Sequence, residues 1–187
     1  TIYVRTTTGA SDGDGGNIAC TSTNASTVNE ATGSATINTL PTVSVNSPSV
    51  CSGSNATVTA TASGGSGTYS TYTWGTLPGG VSDPGNTASF SSGTAGTYGA
   101  TVTDNNGCVS SSNSGTLTVN TNTSADAGSD VAHCIGSSSS LSASGGVSYS
   151  WSPSTGLSAA NVSNPTASHT STTTYTVTAT DANGCTD

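Results

Sequence analysis

The sequence predicts an all-β protein made of tandem β-sandwich modules, on three observations. An alternating strand that runs into an Asn-Gly turn and a cysteine occurs twice, at residues 98–108 and 175–185. Thr, Val and Tyr recur at alternate positions in several short segments, which suits a pleated, half-buried sheet. No window has helical periodicity. Since Asn-Gly favours hairpin turns, each copy is interpreted as the end of one strand and the start of another.

The spacing of landmark residues indicates an internal repeat. The separation between a tryptophan and the following cysteine is 34 positions in both copies: Trp74 to Cys108, and Trp151 to Cys185. The first copy carries six more residues before its tryptophan, in the Ser- and Gly-rich segment 63–71, where a loop tolerates insertion. Fixed-spacing self-similarity is the signature of tandem modules.

Three modules follow from this alignment. Residues 1–40 are interpreted as the back half of a module, residues 41–120 as a complete module, and residues 121–187 as a module that lacks its last strand. Pro41 marks the first boundary, because proline after a strand end stiffens a short connection. An open sheet edge is a liability, so we expect either a longer natural chain or a strand supplied by another subunit.

Each complete module is predicted to be an immunoglobulin-like β-sandwich. About seven short strands, regular turn signals and a Cys…Trp…Cys order are typical of that fold. Trp74 and Trp151 are expected to pack on disulfides, while Tyr98 and Tyr175 fill the core. Tyr98 lies ten positions before Cys108 rather than two, so no antibody-type tyrosine corner is expected.

Composition excludes several classes of partner. Charged residues make up 5% of the 187 residues, Arg5 is the single basic residue, and the formal net charge is -8. Nucleic-acid binding needs lysine or arginine to displace phosphate counterions, so neither nucleic acid nor an anionic membrane surface is expected as a partner. No apolar run approaches the roughly 20 residues that span a bilayer.

The five cysteines indicate an oxidising compartment, because they are regularly spaced and no Cys-x-x-Cys metal motif occurs. The expected disulfides are Cys51–Cys108 and Cys134–Cys185, each within one module. Each would contribute roughly 4 kcal/mol in the chain-entropy model. Cys20 is left over; its partner is expected upstream of the chain, and the alternative is a free thiol.

Three segments carry a family resemblance: Ala125-Asp-Ala-Gly-Ser-Asp130, Tyr149-Ser-Trp-Ser-Pro-Ser-Thr-Gly-Leu157, and residues 172–185 with their Tyr-Thr-Val-Thr-Ala-Thr-Asp-Ala-Asn-Gly-Cys run. They resemble the tandem Ig-like and PKD-like repeats of secreted Bacteroidota surface proteins, over nearly all of 41–187 and more loosely over 1–40. The resemblance implies export by the type IX secretion system and display on the cell surface. Some similar proteins form adhesin filaments, whereas others are spacers in secreted enzymes.

Two acidic segments are candidate calcium sites. Asp12, Asp14 and Asn17 lie in a Gly-rich turn that could bring carboxylate and carbonyl oxygens together. Asp126 and Asp130 lie near a module junction, where calcium could stiffen the rod. The simpler interpretation of both is a solvated turn, because Gly and Asp form turns without a metal, and that interpretation is favoured. No other cofactor is expected.

No catalytic set stands out. His133 and His169 lie among many serines, so a Ser-His-Asp coincidence carries no weight without geometry. Asp104 and Asp181 recur at one repeat position and are expected to organise the hairpin by an Asx-type contact. Four Asn-x-Ser/Thr sequons begin at Asn24, Asn55, Asn122 and Asn161; O-glycans on Ser or Thr are the form expected of a bacterial glycoprotein.

The sequence therefore predicts a structural segment of an extracellular surface filament or adhesin, with no catalysis. Its partners would be neighbouring modules, copies of itself, or surface glycans. The alternative is a carbohydrate-binding or spacer module of a larger secreted hydrolase, in which a tryptophan could stack on a sugar.

Overall fold

The computed structural model describes residues 37–187, and this part of the chain is all β. The predicted first partial module lies almost wholly outside the described residues, as do the calcium candidates Asp12, Asp14 and Asn17 and the leftover cysteine Cys20. Between residues 37 and 187 there is no helix long and apolar enough to cross a membrane.

The strands are short and join through turns, as the sequence predicts. In chain order they are β1 (Pro41–Val45), β2 (Ser49–Cys51), β3 (Ala56–Gly64), β4 (Tyr69–Thr76), β5 (Ser89–Ser92), β6 (Gly96–Asp104), β7 (Asn113–Asn120), β8 (Ser139–Ser140), β9 (Ser148–Ser152), β10 (Thr166–Ala167) and β11 (Thr176–Thr180). The sequence pattern does not predict β2, because three residues are too few to show an alternation.

Two sheets define the immunoglobulin-like sandwich. One has the order β1-β3-β5, and the other has the order β2-β7-β6-β4. Strand β1 packs against β6 across the two sheets. Strands β1, β3 and β5 take the places of strands A, B and E of the immunoglobulin fold, and β4, β6 and β7 take those of C, F and G. The predicted fold class, an all-β immunoglobulin-like sandwich, is confirmed.

Contact clustering divides the chain into two compact units. The described part of unit 1 comprises residues 37–48 and 55–118, and unit 2 comprises residues 49–54 and 119–187. The module limits 41–120 and 121–187 stay a prediction from the sequence.

The core of unit 1 is built from alternate residues of facing strands. Its buried apolar side chains are Val43, Val45, Val58, Ala60, Trp74, Tyr98, Ala100, Val102 and Leu117. Burying a side chain of the size of Val or Leu contributes roughly 1.5–3 kcal/mol, so alternation at period two is what fixes the strand register.

Unit 2 repeats this arrangement with fewer and shorter strands. Strand β9 pairs with β11, and β8 pairs with β10. Ala143, Trp151 and Val177 form its buried cluster, and five partly buried residues pack against them: Leu141, Tyr149, Leu157, Ala160 and Tyr175. The smaller set of large apolar residues means that unit 2 buries less than unit 1.

The two units share one pairing register. In unit 1, Trp74 lies opposite Ala100, and in unit 2, Trp151 lies opposite Val177. Each unit-2 residue lies 77 positions after its unit-1 counterpart. The repeat visible in the sequence is therefore a repeat of strand pairs, and equivalent positions can be compared directly.

Candidate functional site

The first Asn-Gly-Cys turn is organised by a buried aspartate at the end of β6. The Oδ1 of Asp104 accepts hydrogen bonds from the backbone N–H of Asn106 at 3.0 Å and of Cys108 at 2.9 Å. Its Oδ2 accepts a third from the N–H of Ser66 at 2.9 Å. Gly107 adopts a φ of 81°, which residues with a Cβ rarely adopt, so the turn requires glycine there.

The electrostatics of Asp104 follow from these donors. The side chain is 1% exposed, and burial by itself raises the pKa of its carboxyl group. The N–H groups of Cys108, Ser66 and Asn106 act in the opposite direction and outweigh burial, so the pKa of Asp104 lies below its ordinary value of 3.8. A carboxylate that accepts three backbone N–H groups is held as a structural anion, not poised to transfer a proton near neutral pH.

The second turn has the same core of contacts. The Oδ1 of Asp181 accepts hydrogen bonds from the N–H of Asn183 at 2.8 Å and of Cys185 at 2.9 Å. Gly184 has a φ of 83°. The predicted Asx-type role of the two aspartates is therefore confirmed. Within residues 37–187, however, the Oδ2 of Asp181 accepts no hydrogen bond that corresponds to the one from Ser66.

The disulfide differs from the predicted pairs. Cys51 bonds to Cys185, across 134 positions of sequence, with Cα atoms 5.5 Å apart. The predicted Cys51–Cys108 and Cys134–Cys185 bonds are therefore wrong. The physical reason is tertiary: residues 49–54 belong to the same compact unit as Cys185, so the first cysteine of one sequence repeat meets the last cysteine of the next.

The other two described cysteines differ in exposure. Cys108 is 1% exposed and lies in the turn that Asp104 organises. Cys134 is exposed and forms no disulfide with any residue between 37 and 187. Cys134 is the repeat counterpart of Cys51, so equivalent cysteines of the two repeats are bonded differently in this stretch of chain.

A tyrosine corner is present in unit 1, contrary to the prediction. Tyr98 lies near the start of β6 and is fully buried. Its hydroxyl donates to the carbonyl of Thr94, four residues upstream, at 2.7 Å, and lies 2.7 Å from the Oγ of Ser92. A hydroxyl that bonds back to the preceding corner is the defining contact of this feature. Spacing from Cys108 was the wrong criterion, because Cys108 lies in the turn after the strand.

Both tryptophans lie in the core. Trp74 and Trp151 are each 4% exposed. Trp74 Nε1 donates to the carbonyl of Thr87, and Trp151 Nε1 donates to that of Val162, both at 2.9 Å. Phe90 packs edge-on against Trp74 with ring centroids 4.9 Å apart. The neighbour of Trp74 is thus an aromatic ring, and neither indole presents an open face on which a sugar could stack.

The structure brings together one cluster that sequence reasoning missed, in unit 2. The Nε2 of His169 contacts the hydroxyl of Tyr175, which also donates to the carbonyl of Thr155 at 3.0 Å. The Nε2 of His133 lies 3.3 Å from both the N and the O of His169. Burial raises the pKa of the Tyr175 phenol, which keeps it a neutral donor. The only sequence signal for this cluster was the repeat itself, since Tyr175 occupies the position of Tyr98. Both tyrosine hydroxyls donate to a backbone carbonyl.

In the second calcium candidate, Asp126 with Asp130, the first residue forms a backbone bridge to another segment. Asp126 exchanges two backbone hydrogen bonds with Ser144, and its Oδ1 accepts from the N–H of Gly128 at 2.8 Å. Asp130 is exposed. Over residues 37–187, no group of three or more His, Cys, Asp or Glu residues could hold a metal ion. Calcium binding by Asp126 and Asp130 stays a prediction.

No protein-family model matches the chain, and no curated protein sequence matches it. Among solved structures it is similar to a chimeric titin Z1Z2 that carries an exogenous decorin peptide, with TM-score 0.36, 19% identity, and coverage of 81% of this chain and 96% of that one. It is also similar to the titin domains Z1Z2 in complex with telethonin, with TM-score 0.35, 18% identity, and coverage of 81% and 95%. The assignment to the immunoglobulin-like fold rests on the strand order described above.

Proposed function

We propose that this chain is a structural repeat segment of an extracellular surface filament or adhesin and performs no catalysis. The observation that carries the proposal is the disulfide, which joins Cys51 of one sequence repeat to Cys185 of the next. Residues 49–54 lie in the same compact unit as Cys185, so the bond fixes a segment of the first sequence repeat inside the unit that the second repeat builds. A covalent bond keeps that segment in place under load, which a filament needs and an independent binding module does not.

The same disulfide supports a location outside the cell. Structural disulfides persist in oxidising surroundings, so the chain is proposed to act outside the cell. The resemblance to exported Bacteroidota repeats supports display at a cell surface by the type IX route. The partners are proposed to be neighbouring modules or further copies in a fibre. The near-absence of basic residues also leaves trypsin-like proteases only Arg5 to cleave.

Electron microscopy of native surface material, labelled with antibody raised against residues 37–187, tests this function. The expected result is labelled filaments with a repeating bead along their length, which shorten or fray under reducing conditions. Label found only on soluble, compact particles would contradict the filament proposal.

The alternative is a carbohydrate-binding or spacer module of a larger secreted hydrolase. One observation favours a sugar site: a shallow depression in unit 2 is lined by small polar side chains, including Ser138, Ser158, Thr166 and Ser168. The buried tryptophans argue against it, because they remove the aromatic platform that sugar recognition commonly uses. Saturable binding of one sugar on a glycan array, lost in Ser158→Ala, would favour the alternative.

A further inference from the structure

Strand β4 is an edge strand of the four-stranded sheet, because its sole strand partner within residues 37–187 is β6. Its sequence contains no charged residue and no proline, the two residue types that commonly keep an edge strand from pairing with another chain. The pairing register with β6 shifts once near each end of β4. Such bulges protect the ends of an edge, so the regular stretch 71–74 is the part that another strand could reach.

The side chain of Asn86 occupies the outer side of that stretch. Its Oδ1 accepts a hydrogen bond from the N–H of Tyr72 at 2.8 Å, and its Nδ2 donates to the carbonyl of Ser70 at 3.0 Å. Tyr72 lies opposite Val102, whose carbonyl accepts the N–H of Ser110 instead of a donor from β4. The backbone groups of Tyr72 therefore point away from β6, because the residues of an antiparallel pair either bond each other or both point outward. One amide thus makes both contacts that a neighbouring strand would make.

The loop that carries Asn86 holds its amide in position. The N–H of Gly85 donates to the Oδ1 of Asp83 at 2.9 Å, and Gly85 has a φ of 75°, which favours glycine. On the other side of Asn86, the carbonyl of Thr87 accepts a hydrogen bond from the buried indole of Trp74 at 2.9 Å. Asn86 is therefore flanked by a tight turn and by a contact to the core, so the loop presents the amide to β4 from a fixed position.

The second repeat covers the corresponding edge by a different group. Trp151 lies 77 positions after Trp74, and its backbone N–H donates to the carbonyl of Ala160 at 2.8 Å. Position 163, the counterpart of Asn86, is serine. In both repeats the loop that follows the tryptophan strand therefore supplies a hydrogen-bond acceptor to the outer side of that strand. The recurrence of this contact through different groups favours a role in covering the edge over a role specific to one loop.

We propose that the Asn86 side chain is an edge cap, which prevents β4 from pairing with a strand of a second copy of this chain. Such a strand would need the N–H of Tyr72 and the carbonyl of Ser70 for β-strand addition, and Asn86 occupies both groups. A second copy is the relevant partner, because its own β4 presents the same uncharged edge and two like edges can pair about a two-fold axis. The edge cap does not depend on the filament function, since it concerns one edge of one sheet.

Removal of the amide in Asn86→Ala tests the edge cap. The variant and the unchanged chain are alkylated without reduction, so that no accessible thiol forms an intermolecular disulfide, and are compared by sedimentation velocity over a concentration series. The variant is expected to form dimers at concentrations where the unchanged chain forms none.

Hydrogen exchange locates the contact. In the dilute variant the Tyr72 amide should exchange about fivefold faster or more, because its N–H loses its acceptor, and it should slow again in the dimer. A variant that does not associate at any concentration, or a dimer in which the Tyr72 amide stays unprotected, would overturn the proposal.

Asn46→Ala is the matched control, because Asn46 makes the same pair of contacts with another strand. Its Nδ2 donates to the carbonyl of Thr57 at 3.0 Å, and its Oδ1 accepts from the N–H of Thr59 at 2.8 Å. The backbone of Asn46 also bonds to Thr59 and lies against Gly115, so this variant opens no edge. It should stay monomeric, and equal association of the two variants would contradict a role specific to the edge of β4.

Two further variants keep the test decisive. Asn86→Ser, which carries the residue found at position 163, takes the place of Asn86→Ala if the alanine variant does not fold. It is expected to dimerise as well, because serine is too short to reach both Ser70 and Tyr72. Thr73→Lys, added to either variant, places a charge at an exposed position of β4 and is expected to restore the monomer. Dimers that persist after this change would place the contact on another surface and overturn the proposal.

Discussion

The two Asn-Gly-Cys turns have the same motif but lie in different surroundings. Asp104 and Asp181 each accept two backbone N–H groups from their own turn, at 2.8–3.0 Å. Asp104 alone also accepts the N–H of Ser66, and it is fully buried, whereas Asp181 is half-buried. Ser66 belongs to the six-residue excess of the first repeat.

This comparison shows how one motif can acquire a second structural contact. The local spacing Asp-x-Asn-Gly-Cys is sufficient to fold the turn, because both copies form it. The extra loop of the first repeat then closes over the aspartate and adds a donor from a distant part of the chain. The two repeats also differ at their equivalent cysteines and tyrosines and at the closing strand, β7, and each difference can be measured by substitution.

The largest loss of stability is expected on removal of the Cys51–Cys185 disulfide. The double variant Cys51→Ser/Cys185→Ser removes a bond across 134 positions, worth about 5 kcal/mol in the chain-entropy model. Thermal unfolding should show a large fall in Tm. Cys134→Ser, at the equivalent position of the second repeat, should change the free energy of unfolding by no more than about 0.5 kcal/mol, because the residue is exposed. A larger loss in the control than in the double variant would contradict this assignment.

The next effect is expected at the closing strand that only the first repeat has in residues 37–187. Leu117→Ala removes a side chain that is 1% exposed and should cost about 2–5 kcal/mol, because it leaves a cavity. Ile135→Ala, at a position 79% exposed, is the control and should be nearly neutral. Denaturant unfolding measures both, and equal costs would show that β7 is not part of the unit-1 core.

A smaller difference is expected between the repeated tyrosines. Tyr98→Phe leaves the buried Ser92 hydroxyl and the Thr94 carbonyl without their partner and should cost about 1–2 kcal/mol. Tyr175→Phe should cost less, about 0.5 kcal/mol, because water reaches its half-buried site. Chemical denaturation measures the loss of unfolding free energy in each variant. A loss in Tyr175→Phe that equals or exceeds the loss in Tyr98→Phe would show that the tyrosine corner does not distinguish unit 1.

The smallest change in stability is expected at Asp104, and only at acid pH. The folded-state pKa of Asp104 lies below its ordinary value of 3.8, so its contribution to stability is present above that value and is lost as pH falls through the lower, folded pKa. Asp104→Asn should therefore flatten the fall of Tm below about pH 4, as measured by thermal unfolding over a series of acid buffers. An unchanged acid profile in this variant would show that the donors from Cys108, Ser66 and Asn106 do not stabilise the Asp104 carboxylate.

Much of the fold was predictable because alternation and repeat spacing report local pairing. The period of two along a strand puts Tyr98, Ala100 and Val102 on one face, and all three are buried. The Asx role of Asp104 was predictable for the same reason, since its partners lie within four residues. The contact with Ser66 was not, because it is made across 38 positions and depends on where a loop folds.

The disulfide and the tyrosine corner show where sequence reasoning failed. Cysteine spacing gives candidates but no connectivity, and Cys51 is carried by a three-residue strand with no alternation of its own. The corner was rejected on the spacing of Tyr98 from a cysteine, although the contact is made to Thr94 on the other side. The pairing of Cys51 depends on where residues 49–54 lie in the fold, and the corner depends on the backbone carbonyl of Thr94. No side-chain pattern in the sequence marks either.

The cysteine connectivity of the 187-residue chain decides whether the disulfide joins two sequence repeats or lies within one. Peptic digestion at acid pH suppresses thiolate exchange, and mass spectrometry of the unreduced peptides then reads the pairs. A linked peptide that contains Cys51 and Cys185 is expected. Peptides that join Cys51 to Cys108, or Cys134 to Cys185, would contradict this pairing and would restore self-contained modules.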